Sequence, residues 1–171
     1  MKKNMLNKTW NYFTTLLTVG LLIFAFLLVG VRFLGYTPYA IISGSMEPAY
    51  PVGSLVYVQK VDVEEIEVNT PITFVLNEDL VVATHRVVDI DKEAKLFKTK
   101  GDANNSVDGK PVHFNNVLGV VKYSLPYLGY LSVYLKSRKG LIVMISLIIV
   151  VVISTLIKIV IDDNKNEKQI N

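Results

Sequence analysis

The chain has 171 residues, 51% of them hydrophobic and only 19% charged, with a mean hydropathy of +0.39. That excludes a disordered chain, which needs low hydrophobicity and high net charge, and it departs from an ordinary soluble domain, where about 25% of residues are charged. Cysteine is absent, which excludes disulfides, thiolate metal sites and a cysteine nucleophile, and a net charge of +3 from 18 basic and 15 acidic residues is too weak to suggest nucleic acid.

The excess hydrophobicity sits at the two ends. Tyr12 to Val31 is a run of 20 residues without a charge, the length at which a helix crosses a bilayer. Lys2, Lys3 and Lys8 precede it with no acidic residue among them, so the positive-inside bias places the N-terminus in the cytoplasm. A cleavable signal peptide is the competing reading, but its apolar core is normally about 7–15 residues and ends in small residues. This run is longer and ends in Val31-Arg32-Phe33-Leu34. The sequence therefore predicts an uncleaved anchor over 12–34, behind a cytoplasmic tail of 1–11.

A second uncharged run of 18 residues goes from Gly140 to Ile157. Ile159–Ile161 extend it if Lys158 snorkels, which predicts a second span over 140–161. A buried core helix is the alternative; the run Leu-Ile-Val-Met-Ile-Ser-Leu-Ile-Ile-Val-Val-Val-Ile has no polar face to support it. Lys136, Arg138 and Lys139 stand before this span, against the positive-inside rule. Long loops translocate largely regardless of charge, however, and Lys158, Lys165 and Lys168 favour a cytoplasmic tail over 162–171. That polar tail is expected to be disordered.

Between the spans, 35–139 reads as a polar, β-rich domain. Leu55–Val58, Ile72–Leu76, Leu80–Ile90, Leu96–Thr99 and Val117–Tyr123 are short apolar stretches rich in β-branched residues, separated by turn signals such as Pro51-Val52-Gly53, Asn77-Glu78-Asp79 and Gly101-Asp102. About five strands with short connections predict a small antiparallel sheet or open barrel. Val61 to Val68 is long enough for one helical turn; no stretch of the domain has a convincing helical period. Tyr127, Tyr130 and Tyr134, interleaved with leucines, read either as an interfacial aromatic belt or as the last core segment.

Three places can carry chemistry. In Ile42-Ser43-Gly44-Ser45-Met46-Glu47-Pro48 the small residues allow a sharp turn that exposes the Ser45 hydroxyl, with its own N–H able to stabilise an oxyanion; a simple turn before a proline is the bland reading. In Val82-Ala83-Thr84-His85-Arg86-Val87-Val88, strand alternation puts His85 on the face of Val81, Ala83 and Val87. A neutral imidazole on such a face is what a general base needs, although a lone histidine there is more often a satisfied core residue. His113 lies in a polar loop and reads as surface. The third place, Lys98 to Gly109, is rich in turn residues. Its spacing fails the EF-hand pattern, which leaves a connector or a carboxylate that orients His85.

Taken together and in this order, the three segments resemble the type I signal peptidases, in the Ser-His branch found in the endoplasmic reticulum complex, in archaea and in some Gram-positive bacteria. The resemblance covers about residues 15 to 135. Ser43-Gly44-Ser45-Met46-Glu47-Pro48 is similar to the serine box of that family, Thr84-His85-Arg86-Val87 to its histidine box, and Lys100-Gly101-Asp102-Ala103-Asn104-Asn105-Ser106-Val107-Asp108 to its glycine-aspartate box. Pro126-Tyr127-Leu128-Gly129 is similar to a segment after the family's last strands.

The resemblance implies a β-rich domain on the outer face of the plasma membrane with both termini cytoplasmic. It implies serine endopeptidase activity on exported pre-proteins, with signal peptides bound as an added strand and cut after a small-x-small segment. Ser45 would be the nucleophile, His85 the general base and Asp108 the acidic member, with Asp102 the other acid of its box. Ser43 would help the oxyanion hole beside the Ser45 N–H. Ala103 departs from the family's usual asparagine. No metal or organic cofactor is implied; the implied partners are signal peptides and the lipid bilayer, with an accessory subunit left open. Two alternatives remain: a Ser-Lys peptidase using Lys98 or Lys100, which desolvation would have to discharge, and a non-catalytic membrane-tethered β-module.

Overall fold

The β-branched stretches between the apolar ends form one sheet of seven strands, and the short turns between them leave room only for antiparallel pairing. The structure, a computed structural model, describes the backbone of residues 2–76 and 81–170 and the side chains of residues 8–10, 12–76 and 81–156. The chain divides into two compact units, Leu27–Val133 and a helical unit made from the two ends.

The strands are β1 (Tyr36–Ala40), β2 (Leu55–Gln59), β3 (Pro71–Val75), β4 (Val82–Asp91), β5 (Leu96–Lys100), β6 (Val112–His113) and β7 (Val117–Leu125). They lie in the order β1-β2-β7-β3-β4-β5-β6, and every pairing among the described residues is antiparallel. The fold is thus mostly β, an open half-barrel of the expected kind, with two more strands than the sequence predicts. β1 contains Pro38, which lacks a ladder donor and is tolerated because β1 is an edge strand. β6 has only two residues, too few for any alternation to register. The expected turn at Asn77-Glu78-Asp79 and the start of the expected strand at Leu80 lie outside the described residues.

Register shifts in β2–β7, β3–β7 and β4–β5 bend the sheet. Gly119 marks one of them: its φ is 150°, and a Cβ there would run into the carbonyl of Gln59. Curvature lets one sheet bury both faces. In β2, Leu55 and Tyr57 pack with Val31, Leu28 and Leu128, whereas Val56 and Val58 pack with Ile41 and Val121. That is why Leu55–Val58 reads as an unbroken apolar run. The largest cluster joins Ile72, Phe74, Val87, Phe97, Phe114 and Val120, with Phe97 and Phe114 stacked at 4.4 Å between ring centres. Such a ring pair contributes about 0.5–1.5 kcal/mol beyond the area it buries. The turn expected near Val61–Val68 is a 3-10 turn at Val63–Glu65, capped by Asp62.

The helices are α1 (Lys2–Leu28), α2 (Leu128–Lys136) and α3 (Arg138–Ile170). α2 corrects the expectation that no stretch of the 35–139 domain is helical beyond one turn near Val61–Val68. Its nine residues are apolar on nearly every side, too short and too uniform for a period to show. Lys8–Leu28 and Arg138–Leu156 are long and apolar enough to cross a membrane, which fits a membrane-associated chain. α1 stops at Leu28, and a 3-10 turn follows at Gly30–Leu34. α3 continues to Ile170 through the tail expected to be disordered, because extending an existing helix adds one hydrogen bond per residue without a new nucleus.

Candidate active site

Ser45 lies in the segment that follows β1. The base of that segment is closed by Ile41 N–H to the Ser54 carbonyl (2.9 Å) and Gly53 N–H to the Ile41 carbonyl (2.8 Å). Within it, Gly44–Met46 forms a 3-10 turn, and Met46 is driven into the core, 1% exposed. The buried methionine pins the turn and leaves the neighbouring Ser45 half-buried.

His85 projects from β4 on the same face as Ala83 and Val87, as alternation requires. Across the ladder it faces Ile72, and its ring meets the Phe74 ring edge-on at 6.2 Å. The histidine thus lies over the main apolar cluster with its two nitrogens free for polar partners. Nε2 is 3.1 Å from Ser45 Oγ, and Nδ1 is 2.6 Å from Asp108 Oδ2. A carboxylate only accepts, so the proton between them sits on Nδ1 and leaves the Nε2 lone pair towards the serine hydroxyl. The side chains of His85 and Asp108 keep 15% and 21% of their exposure, so the arrangement is shielded but reachable.

The loop after β5 carries Asp108 and also grips the serine segment. Ala103 N–H donates to the Ser45 carbonyl at 2.9 Å, and Gly101 packs so closely that a Cβ there would stand 2.6 Å from the same oxygen. Only glycine fits such an approach. Ala103 contributes here through its backbone, which an asparagine would also supply. Thr99 holds Asp108 from the strand side: its hydroxyl donates to Asp108 Oδ2 at 2.7 Å.

Asp102 stands apart from this series. Its two oxygens take a forked pair from Arg86, Nε at 2.8 Å and an Nη at 2.6 Å, while the other Nη donates to the Asn69 carbonyl at 2.8 Å. The hydrogen bonds to Asp102 hold the Arg86 guanidinium firmly charged. Tyr50, on the serine segment, is near this pair; burial pushes its phenol up, Arg86 opposes that and Asp102 adds to it. Ser43 Oγ comes within 3.3 Å of Ser45 Oγ. Of the two lysines considered as an alternative base, Lys98 is exposed and paired with Asp89 at 2.8 Å, which raises its pKa. Lys100 faces Arg86 across the ladder. His113 caps the 3-10 turn Phe114–Asn116 by accepting from Asn115 N–H at 3.1 Å, and has no part in the cluster. Among the described residues, no group of three His, Asp or Glu side chains is placed to hold a metal ion.

Thr99 and the Arg86–Asp102 fork escape a reading of the sequence. Thr99 looks like one more alternating strand residue; the only signal for it is a hydroxyl at a core-facing position. Arg86 is visible inside the histidine segment, but its partner lies across a turn.

A mostly β domain presenting serine, histidine and aspartate in hydrogen-bonded series is the constellation that serine hydrolases have reached on several folds. No protein-family model matches the chain. Its sequence is 46% identical over 86 residues to signal peptidase I W of Bacillus subtilis (strain 168), covering 48% of this chain and 45% of that protein. It is 29% identical over 110 residues to the signal peptidase complex catalytic subunit SEC11 of Lodderomyces elongisporus, covering 58% and 65%. To the SEC11 subunit of Komagataella phaffii (strain GS115) it is 31% identical over 117 residues, covering 58% and 66%. The chain therefore spans about half to two thirds of the length of these relatives. It is a homologue of the type I signal peptidases.

Proposed function

We propose that the chain is a membrane-bound serine endopeptidase that removes signal peptides from exported pre-proteins by cleavage after a small-x-small segment. The observation that carries this reading is the series Ser45 Oγ, His85 Nε2 at 3.1 Å, and His85 Nδ1 to Asp108 Oδ2 at 2.6 Å. Ser45 Oγ attacks the scissile carbonyl while its proton passes to His85 Nε2. Asp108 holds the imidazole in the required tautomer and stabilises the imidazolium. The oxyanion is met by the Ser45 N–H and the Ser43 hydroxyl. His85 then protonates the leaving amine, which departs as the mature protein's new N-terminus. Water, deprotonated by the same imidazole, hydrolyses the acyl-enzyme and frees the signal peptide. His85 gives the proton taken from that water to the departing Ser45 Oγ, which restores the free serine and the neutral imidazole.

The proposed layout has spans over 12–34 and 140–161, tails of 1–11 and 162–171 in the cytoplasm, and the domain of 35–139 on the outer face of the plasma membrane. It rests on Lys2, Lys3 and Lys8 ahead of the first span. The bilayer confines enzyme and signal peptide to one plane, so encounter needs no strong affinity.

The test is cleavage of a precursor with an intact signal peptide by the detergent-solubilised full chain, with product masses read by mass spectrometry. Cleavage after a small-x-small site by the wild type, and none by Ser45→Ala or His85→Ala, is expected. Equal turnover by all three would overturn the mechanism. No turnover by any, across a panel of precursors and lipids, would point to a partner-dependent or a non-catalytic membrane module.

A further inference from the structure

Thr99 touches Asp108 at two points. Its backbone carbonyl accepts the Asp108 N–H at 2.8 Å, and its hydroxyl donates to Asp108 Oδ2 at 2.7 Å. That same Oδ2 receives His85 Nδ1 at 2.6 Å. The Thr99 side chain is fully buried, 0% exposed. A buried hydroxyl costs free energy unless it is hydrogen-bonded, and here its bond goes to the carboxylate. In the ladder Thr99 pairs with Val87, two residues beyond His85 on β4. The strand that carries the histidine and the strand that holds the aspartate are thus neighbours in one sheet.

An aspartate on a loop has two side-chain torsions to fix. The bond to His85 alone leaves the carboxylate free to turn about its own axis and to exchange its oxygens. A second donor on Oδ2, fixed to a buried strand, selects which oxygen meets the imidazole and sets the plane in which it does so. Orientation of this kind acts on the reacting geometry rather than on substrate contact.

We infer that Thr99 is a positioning residue: its hydroxyl fixes the Asp108 carboxylate that aims His85 at Ser45. The inference rests on the peptidase reading above. Thr99 itself touches neither substrate nor the serine.

The test uses the detergent-solubilised full chain and a quenched fluorescent peptide with an apolar segment before a small-x-small site. kcat and KM are compared for the wild type, Thr99→Ser, Thr99→Ala and Thr99→Val, at a temperature well below every melting transition. A lost hydrogen bond to a charged group predicts that Thr99→Ala and Thr99→Val lower kcat about ten- to a hundredfold with KM within about twofold. Thr99→Ser keeps the hydroxyl and holds kcat within about threefold of the wild type. The Ser and Ala variants differ only in that hydroxyl, so they decide the matter even if the valine variant does not fold. Equal kcat in these two, or a loss expressed in KM instead, would overturn the inference while an active wild type keeps the peptidase reading. An inactive wild type overturns both.

Discussion

The backbone N–H of Ala103 donates to the carbonyl oxygen of Ser45 at 2.9 Å, so the loop that brings the acid also holds the serine. Gly101 makes this possible, because a Cβ there would stand 2.6 Å from that oxygen. Gly101→Ala should push the two segments apart. The expected result is a loss of cleavage of at least about tenfold, with overpacking costing on the order of 1–3 kcal/mol in stability. Kinetics and urea unfolding of the same variant check it. An alanine variant with wild-type turnover would show that the contact is dispensable.

The two acids of the loop should separate cleanly. Asp108 meets His85 at 2.6 Å, whereas Asp102 is held by the Arg86 fork at 2.6 and 2.8 Å. Asp108→Asn keeps the shape but offers the wrong group to Nδ1, and kcat is expected to fall by about 10⁴ with the melting temperature little changed. Asp102→Asn should lower stability by about 1–3 kcal/mol through the loss of one arm of the fork and of the charge that faces the guanidinium, with a much smaller fall in kcat. The reverse order in a paired measurement of kcat and thermal melting would exchange the two roles.

Much of this arrangement is legible in the chain. Leu55–Val58, Ile72–Leu76 and Leu96–Thr99 announce their strands through β-branched residues and turn signals, and observed boundaries lie within one or two residues of the expected ones. Ser45, His85 and Asp108 stand out only through the resemblance of their three segments, in this order, to the boxes of the type I signal peptidases; alone, each segment has a bland reading. What does not show is what depends on pairing across the sheet. β1 hides behind Pro38, whose penalty vanishes at an edge. α2 hides because nine apolar residues look alike as helix, strand or membrane belt. The bonds from Thr99 to Asp108 and from Arg86 to Asp102 join residues on different elements, and no local pattern records them.

Lys98 offers a test of the competing base. Its ammonium is exposed and 2.8 Å from Asp89. That bond raises the Lys98 pKa and lowers that of Asp89. A raised lysine pKa gives a contribution present below the unfolded value and lost as pH rises through the folded one. A lowered aspartate pKa gives one lost as pH falls through its own folded value. Across the neutral range the pair therefore stays ionised, and an ionised amine cannot take the proton of Ser45. Lys98→Ala should leave kcat and KM within about twofold of the wild type, since an exposed pair contributes little. A Lys98→Ala enzyme that no longer cleaves its precursor would revive the Ser-Lys alternative.

Ser43 and Ser45 bring their hydroxyl oxygens within 3.3 Å of each other. Two readings of this contact differ in consequence. If Ser43 donates to the oxyanion as the carbonyl becomes tetrahedral, its hydroxyl acts only in the transition state. Ser43→Ala should then lower kcat by about 10²–10³ with KM unchanged, the size of one lost oxyanion donor. If instead Ser43 only restrains the serine in the resting enzyme, Ser43→Ala should cost at most about tenfold, the size of one ordinary hydrogen bond. Steady-state kinetics separates the cases by the size of the Ser43→Ala loss, and Ser43→Thr, which retains the donor at an exposed position, ties that loss to the hydroxyl. Full activity in Ser43→Ala would leave the Ser45 N–H as the donor from this segment.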